Sequence, residues 1–222
     1  MSKGPVSAAT VGRLPTYLRA VLDLAAQETA TVSSEGLAEL VGVNAATVRR
    51  DLATLDIVGT RGVGYDVKYL VYEISVELGV NQEWPVVVVG AGNLGRALAN
   101  YKGLADRGFP IRCLCDIDPE KVGKDVSGLP VCHLDELPEL VPEQGITVGV
   151  IATPVEGAQH AADKLIAAGV TSILNFTAHP IVVPEGVMVR RVDLATELQI
   201  LSFYQQRGLA ASGGTGVPLE SA

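Results

Sequence analysis

The sequence is poor in the residues from which metal centres, redox pairs and hydrolytic triads are built. Among its 222 residues are three cysteines and three histidines. Cys113, Cys115 and Cys132 form no CxxC pair, and their odd number and spacing suit neither a disulfide framework nor a zinc site. Cys113 and Cys115 stand two apart in an apolar segment, so on a strand they share a face and read as small buried hydrophobes. His133, His160 and His179 stand in no recognisable catalytic motif and read as surface or structural residues. No apolar run approaches the roughly 20 residues that cross a bilayer. Met1 to Leu14 lacks the apolar core of a secretory signal, so a cytoplasmic protein is expected. A basic excess is missing too: 17 Lys and Arg face 25 Asp and Glu, a net charge of −8. That excludes coating nucleic acid by bulk electrostatics, but not a small local basic site.

What the chain does have is two patterns in succession. Residues 1–12 are small and polar and are expected to be disordered. From Arg13 to Gln27, Leu14, Tyr17, Leu18, Val21, Leu22 and Ala25 recur at helical spacing, with Pro15 suited to a first turn. Ser33 or Ser34 can cap a second short helix that Gly42 ends, and Asn44 can cap a third, Ala45 to Leu55. The glycine-rich Gly59 to Tyr65 suits a tight β-hairpin. Asp66 can cap a fourth helix, stopped by Gly79. Helix, helix–turn–helix, hairpin and closing helix are the order of a winged helix, predicted over 13–80. Trp84-Pro85 marks a boundary. Beyond it Val86 to Val89, Ile111 to Cys115, Val148 to Ala152 and Ser172 to Phe176 read as buried strands. Helices are predicted between them at Leu94 to Asp106 and Val155 to Ala168. That alternation predicts a parallel α/β Rossmann domain over 85–192. An amphipathic helix follows at about 194–206, and 208–222 reads as a disordered tail.

The second domain opens with Gly90-Ala91-Gly92-Asn93-Leu94-Gly95, a G-x-G-x-x-G placed directly between a strand and a helix, where the pattern has meaning. Gly90 permits the turn, Gly92 lets the backbone approach a pyrophosphate, and Gly95 lets helix and strand pack closely. The helix N-terminus offers free N–H groups to the phosphates. Asp116 ends the next strand, 21 positions beyond Gly95, where an acid binds adenosine ribose hydroxyls. Ile117, Asp118 and Pro119 bring no arginine for a 2′-phosphate, so NAD(H) is favoured over NADP(H). With the first 80 residues helical, no room remains for a substrate domain. The pairing suggests a sensor rather than an enzyme.

In the third helix Val48, Leu52 and Leu55 face the core. Arg50 then lies opposite it, Ala46, Thr47 and Thr54 flank Arg50, and Arg49 lies nearer the edge. Arg50 can read a guanine edge or a phosphate in the major groove. Arg61 at the hairpin tip suits a narrow minor groove. Residues 1–80 carry seven basic and nine acidic side chains, net −2, so a protein-contact module remains an alternative. Two others are a small NAD-dependent oxidoreductase and a non-catalytic CoA- or nucleotide-binding scaffold.

Several stretches, in order, resemble the redox-sensing repressor family Rex over roughly 13–205. They are Arg13-Leu-Pro-Thr-Tyr-Leu-Arg19, Val48-Arg-Arg-Asp-Leu52, Gly59-Thr-Arg-Gly-Val-Gly-Tyr65, Gly90 through Tyr101, Asp116-Ile-Asp-Pro-Glu-Lys-Val-Gly123, Ile173-Leu-Asn-Phe176 and Val192-Asp-Leu194. The resemblance implies a homodimer with the C-terminal helix, 193–207, swapped onto the partner. It implies that NADH closes the dimer and releases palindromic operator DNA, while NAD⁺ competes and permits repression. By motif position, Tyr101 and Asp193 resemble a pair bonded between subunits in the NADH state, and Arg19 the arginine that takes Asp193 in the DNA-bound state. One stretch departs from the family, Ala53-Thr-Leu-Asp-Ile-Val58: Asp56 stands where a glycine is usual, and an acid near DNA repels phosphate.

Overall fold

The computed structural model describes residues 6–207, in two compact units that part between Asn81 and Gln82. The first contains α1 (Ala8–Ala26), β1 (Thr31–Val32), α2 (Ser34–Val41), α3 (Ala45–Thr54), β2 (Tyr65–Asp66) and α4 (Val67–Leu78). Its helix ends follow from single residues. Ser33, Asn44 and Asp66 accept the N–H groups of Gly36, Thr47 and Tyr69 at 3.0, 2.8 and 2.8 Å. Gly42 and Gly79 close α2 and α4 in the left-handed region, at φ 73° and 66°, a conformation that costs glycine little.

Helix α1 begins earlier than expected. Ser7 caps it by accepting the Thr10 N–H at 3.1 Å, so residues 8–12 are helical rather than disordered. Pro15 lies inside the helix, not in its first turn. Its side chain is exposed, where the carbonyl freed by its missing N–H can meet water. Strand β1 pairs antiparallel with β2, Val32 opposite Tyr65. Leu14, Tyr17, Leu37, Val48, Leu52, Leu70 and Ile74 form the core of this winged helix-turn-helix. The hairpin is minimal: Thr60 and Gly64 exchange backbone hydrogen bonds of 2.7 and 2.9 Å around Arg61-Gly62-Val63. Gly64 has φ 102°, and a Cβ there would lie 2.3 Å from the Val32 carbonyl oxygen. Only glycine lets the wing close so near to β1.

The second unit contains β3 (Val86–Val89), α5 (Asn93–Asn100), β4 (Ile111–Asp116), β5 (Asp125–Val126), β6 (Leu129–His133), α6 (Leu137–Glu143), β7 (Val148–Ile151), α7 (Val155–Ala167), β8 (Ser172–Asn175), β9 (Met188–Arg191) and α8 (Leu194–Gln206). The sheet order is β5-β6-β4-β3-β7-β8-β9, parallel except for the β5–β6 hairpin. Its six parallel strands repeat the doubly wound dinucleotide-binding order, with the switch point between β3 and β7. Val87, Val89, Cys113, Cys115 and Ile151 pack under α6 and α7. Val86, Val88, Leu114 and Val150 pack on the opposite face, with Leu98 of α5. Burial on both faces explains why β3 is a continuous apolar run.

Helix α5 is shorter than predicted. It stops at Asn100, where the Asn100 amide folds back onto the Arg96 carbonyl at 2.8 Å and Tyr101 turns extended at φ −87°, ψ 93°. A separate 3₁₀ turn covers Ala105–Arg107. The three cysteines are buried or half-buried and unpaired. Burial pushes the Cys132 thiol up to about 11, so at neutral pH it stays protonated and unreactive. No helix among the described residues is long and apolar enough to cross a membrane. The expected tail, 208–222, and residues 1–5 lie outside the described residues.

Candidate nucleotide and nucleic-acid sites

The glycines of the 90–95 turn answer to different constraints. Gly90 has φ 108°, and a Cβ there would sit 2.6 Å from the Ala152 carbonyl oxygen, across the switch point. A Cβ on Gly95 would sit 1.9 Å from the Gly90 carbonyl oxygen. Both are glycine because the protein's own backbone demands it. Gly92 differs: a Cβ there meets no atom within 4 Å, and its φ of −82° suits any residue. The fold does not require that glycine, so the reason for it lies outside the protein's own packing. Gly92 is also the N-cap of α5, and no side chain caps that helix. Asn93 and Leu94 are exposed on its first turn and Ala91 is buried beneath it, so the first-turn N–H groups lie at the sheet's carboxyl edge with no side chain to cap them. Thr153, beside Gly90, holds a buried Oγ1 with no partner among the described residues. A turn open where a phosphate would approach fits a dinucleotide.

Asp116 lies at the end of β4, as expected, but it does not act alone. Its Oδ2 accepts the Ala91 N–H at 2.8 Å, and its Oδ1 accepts the Asp118 N–H at 3.0 Å. Lys121 reaches back to place Nζ 3.1 Å from Asp116 Oδ2 and 3.5 Å from Asp118 Oδ2. Burial pushes the Asp116 carboxyl up, but the N–H donors of Asp118 and Ala91 and the Lys121 ammonium outweigh it, holding the carboxyl below its ordinary value. The acid therefore braces the glycine turn and stays ionised. Sequence reasoning missed Lys121. Five residues of separation match no helix or strand pairing; the turn at Asp118, whose carbonyl accepts the Lys121 N–H at 2.9 Å, brings the lysine back.

In the first unit, α2 and α3 form the helix-turn-helix. Ala46, Arg49 and Arg50 are exposed on α3, and Thr47 is half-buried. Arg50, and Arg61 at the wing tip, have no partner among the described residues. Arg49 is tied to α2: its Nη1 donates to Ser34 Oγ at 2.8 Å and Glu35 Oε1 at 2.9 Å. So exposed a pair adds little to stability; its consequence is to hold Arg49 at the edge. Should α3 enter a major groove as the sequence predicts, Arg50→Ala is expected to weaken duplex binding by about 1–3 kcal/mol, and to lower the salt slope if Arg50 meets phosphate, with Arg49→Ala costing less. Fluorescence anisotropy at two salt concentrations checks both.

On α3, Asp51 has a role that the charge balance alone does not show. It is fully buried. Arg13 Nε and Nη2 donate to it at 2.7 and 2.8 Å, Tyr17 Oη at 2.9 Å and Thr10 Oγ1 at 3.1 Å. Both charges belong to a structural clamp between α1 and α3, so Asp51 is withdrawn from the exposed charge balance of α3. Asp56 also acquires a reason. At φ 62° it is the left-handed residue after α3, where its N–H reaches Ala53 O at 3.1 Å and the Ile57 N–H reaches Leu52 O at 3.0 Å. This paired closure favours glycine. Asp56→Gly is expected to relieve the left-handed strain, a gain partly offset by the greater freedom of glycine in the unfolded chain, for a net change of about 0–1 kcal/mol read by thermal unfolding; removal of the acid should also tighten any duplex binding in the same anisotropy assay.

Of the proposed switch residues, Arg19 is exposed on α1 and without a partner among the described residues. The Tyr101 ring lies exposed over Gly103, where a Cβ would meet its Cζ at 2.7 Å. Asp193 caps α8, Oδ1 accepting the Ala195 and Thr196 N–H groups at 3.0 and 3.4 Å. Those donors hold its carboxyl below the usual value. No hydrogen bond joins Tyr101 to Asp193 among the described residues.

A helix-turn-helix unit followed by a doubly wound unit with an open glycine turn defines a nucleotide-responsive DNA-binding regulator. Residues 81–179 match the family model described as "CoA binding domain", and residues 5–53 the one described as "Putative DNA-binding protein N-terminus". The chain is 56% identical over 214 residues to the redox-sensing transcriptional repressor Rex of Streptomyces coelicolor, spanning 95% of this chain and 83% of that protein. It is 47% identical to the Rex of Desulfitobacterium hafniense over 88% of this chain and 93% of that protein. Among solved structures, RSP, a Rex-family repressor, superposes with a TM-score of 0.85 at 31% identity, covering 94% of this chain and 97% of RSP. RSP has also been crystallised with β-NAD⁺ and operator DNA, and with β-NADH. The chain belongs to the Rex family of redox-sensing transcriptional repressors, a family of DNA-binding regulators rather than enzymes.

Proposed function

We propose that this protein represses transcription from the cytoplasm by reading the NADH/NAD⁺ balance. Two copies hold a palindromic operator through Arg50 in the major groove and Arg61 in the minor groove, and NADH releases it. The observation that carries this reading is the glycine turn that is open at Gly92 and braced by Asp116, in the same chain as a helix-turn-helix with unpaired arginines. Gly90 through Gly95 and the α5 N-terminus would hold the pyrophosphate, and Asp116 would take the adenosine ribose hydroxyls. An ionised acid there opposes the ribose phosphate that distinguishes CoA from NAD(H), which favours NAD(H) as the ligand. The coenzyme supplies a nicotinamide ring whose charge and planarity change with oxidation state.

Helix α8 supports a dimer. None of its residues is buried, and Leu194, Leu198 and Leu201 are 63, 66 and 62% exposed. A lone chain rarely leaves so continuous an apolar face uncovered; a second copy would cover it by receiving the swapped helix. Asp193 caps α8 through Oδ1, and its exposed carboxylate would take Tyr101 of one copy or Arg19 of another. One carboxylate with two exclusive partners makes a two-state switch. Leu198→Asp is expected to convert the dimer to monomer and to lower operator affinity more than tenfold, about 1.4 kcal/mol or more, with light scattering reading the mass. In the test of the whole reading, calorimetry should show NADH binding more tightly than NAD⁺, and NADH should abolish the mobility shift of a palindromic duplex. A shift indifferent to NADH would refute it.

A further inference from the structure

The structure assigns Lys121 as a specificity-determining residue of the coenzyme site: a cation for a phosphate on the adenosine ribose, held in check by Asp116 and Asp118. The inference rests on the coenzyme reading above. Lys121 does not sit on a regular element facing solvent. Its main chain is pinned by the Asp118 carbonyl, and its ammonium is drawn inward to within 3.1 Å of the carboxylate that would meet the ribose hydroxyls. The contact to Asp118 Oδ2, at 3.5 Å, holds it from the other side. The lysine side chain is one-third exposed, while that of Asp116 is nearly buried, at 33 and 9%. Of the two partners, the lysine is therefore the one more accessible to an incoming group.

Two consequences follow from that placement. With Asp116 charged, a phosphate on the ribose meets a buried negative charge, and Lys121 only softens the repulsion. With that charge removed, the same ammonium loses one of its two carboxylate partners and becomes a donor for the phosphate, through charge-assisted hydrogen bonds. Discrimination between NADH and NADPH is thus set by the pair, not by Asp116 alone.

The test is a set of titrations of the full-length protein with NADH and NADPH, followed by calorimetry. Asp116→Asn keeps an oxygen for the Ala91 N–H and removes the charge. It is expected to raise the affinity for NADPH relative to NADH by about tenfold or more. Adding Lys121→Met to it should reverse most of that gain, and raising the salt concentration should erode the gain in the single variant. An unchanged NADPH/NADH ratio on adding Lys121→Met would overturn the assignment. Lys121→Met in the wild-type background is the second arm, independent of any damage done at Asp116. It should lower the relative affinity for NADPH several-fold, about 1 kcal/mol, whereas a lysine that merely braced the loop would alter both coenzymes equally. A wild-type chain that binds no NADH would instead overturn the coenzyme reading beneath the inference.

Discussion

Gly92→Ala is expected to leave the folded protein intact and to abolish its response to NADH. The Cβ it adds meets no protein atom within 4 Å, and the backbone at that position, φ −82° and ψ −163°, is open to alanine. Replacing glycine by alanine at a compatible position stabilises by about 0.4–1 kcal/mol through the unfolded chain. The new methyl group projects into the space that the α5 N-terminus leaves for phosphate, so coenzyme affinity should fall about a hundredfold, ~2.7 kcal/mol. The operator should remain bound at NADH concentrations that release the wild-type protein. Gly95→Ala is the contrasting variant: its Cβ would lie 1.9 Å from the Gly90 carbonyl oxygen, so the turn itself must break and the unit lose stability. Thermal unfolding together with NADH calorimetry separates the two effects. A Gly92→Ala protein that binds NADH normally would mean that the open turn is not the phosphate site.

Asp51→Ala is expected to destabilise the DNA-reading unit severely while coenzyme binding survives. The carboxylate is fully buried and takes four hydrogen bonds from Arg13, Tyr17 and Thr10. Removing one partner of a buried ion pair costs about 3–5 kcal/mol, against a total domain stability of about 5–15. Operator binding should weaken, and its thermal limit fall, although Asp51 does not face the groove. The pair also sets an acid limit. Burial pushes the Asp51 carboxyl up, but the bonds from Arg13 and Tyr17 outweigh it, so its folded value lies below the ordinary one near 3.8. Its contribution is therefore fully present above that value and is lost as pH falls through the lower, folded one. Acid unfolding of this unit should shift toward neutrality in Asp51→Asn, which circular dichroism across pH reads directly.

Much of this architecture was legible because single residues carry it. Ser33, Asn44, Asp66, Gly42 and Gly79 mark the helix ends they were expected to mark, since caps act locally. The turn at 90–95 and the strand before it also act locally, and the run of four valines could fit only a strand buried on both faces. What escaped is what depends on distant partners. Strands β1 and β5, of two residues each, and the edge strand β9 are too short to show alternation and exist because a neighbour pairs with them. Ser7 extended α1 backward through a stretch whose composition suggested disorder. Asp51 entered only as one of nine acids in the charge balance of the first unit, because its burial depends on Arg13, 38 positions away. Lys121 was invisible for the same reason, brought to Asp116 by a turn rather than a period.

The central claim is that one equilibrium links the glycine turn of the second unit to the arginines of the first. Linkage makes that claim reciprocal: if NADH weakens operator binding by a given factor, saturating operator must weaken NADH binding by the same factor, typically about 5–150-fold. The direct measurement is NADH affinity at fixed salt with and without saturating operator DNA. The account predicts weaker NADH binding in the presence of operator, by the factor seen in the opposite titration. Equal affinities with and without DNA would contradict it.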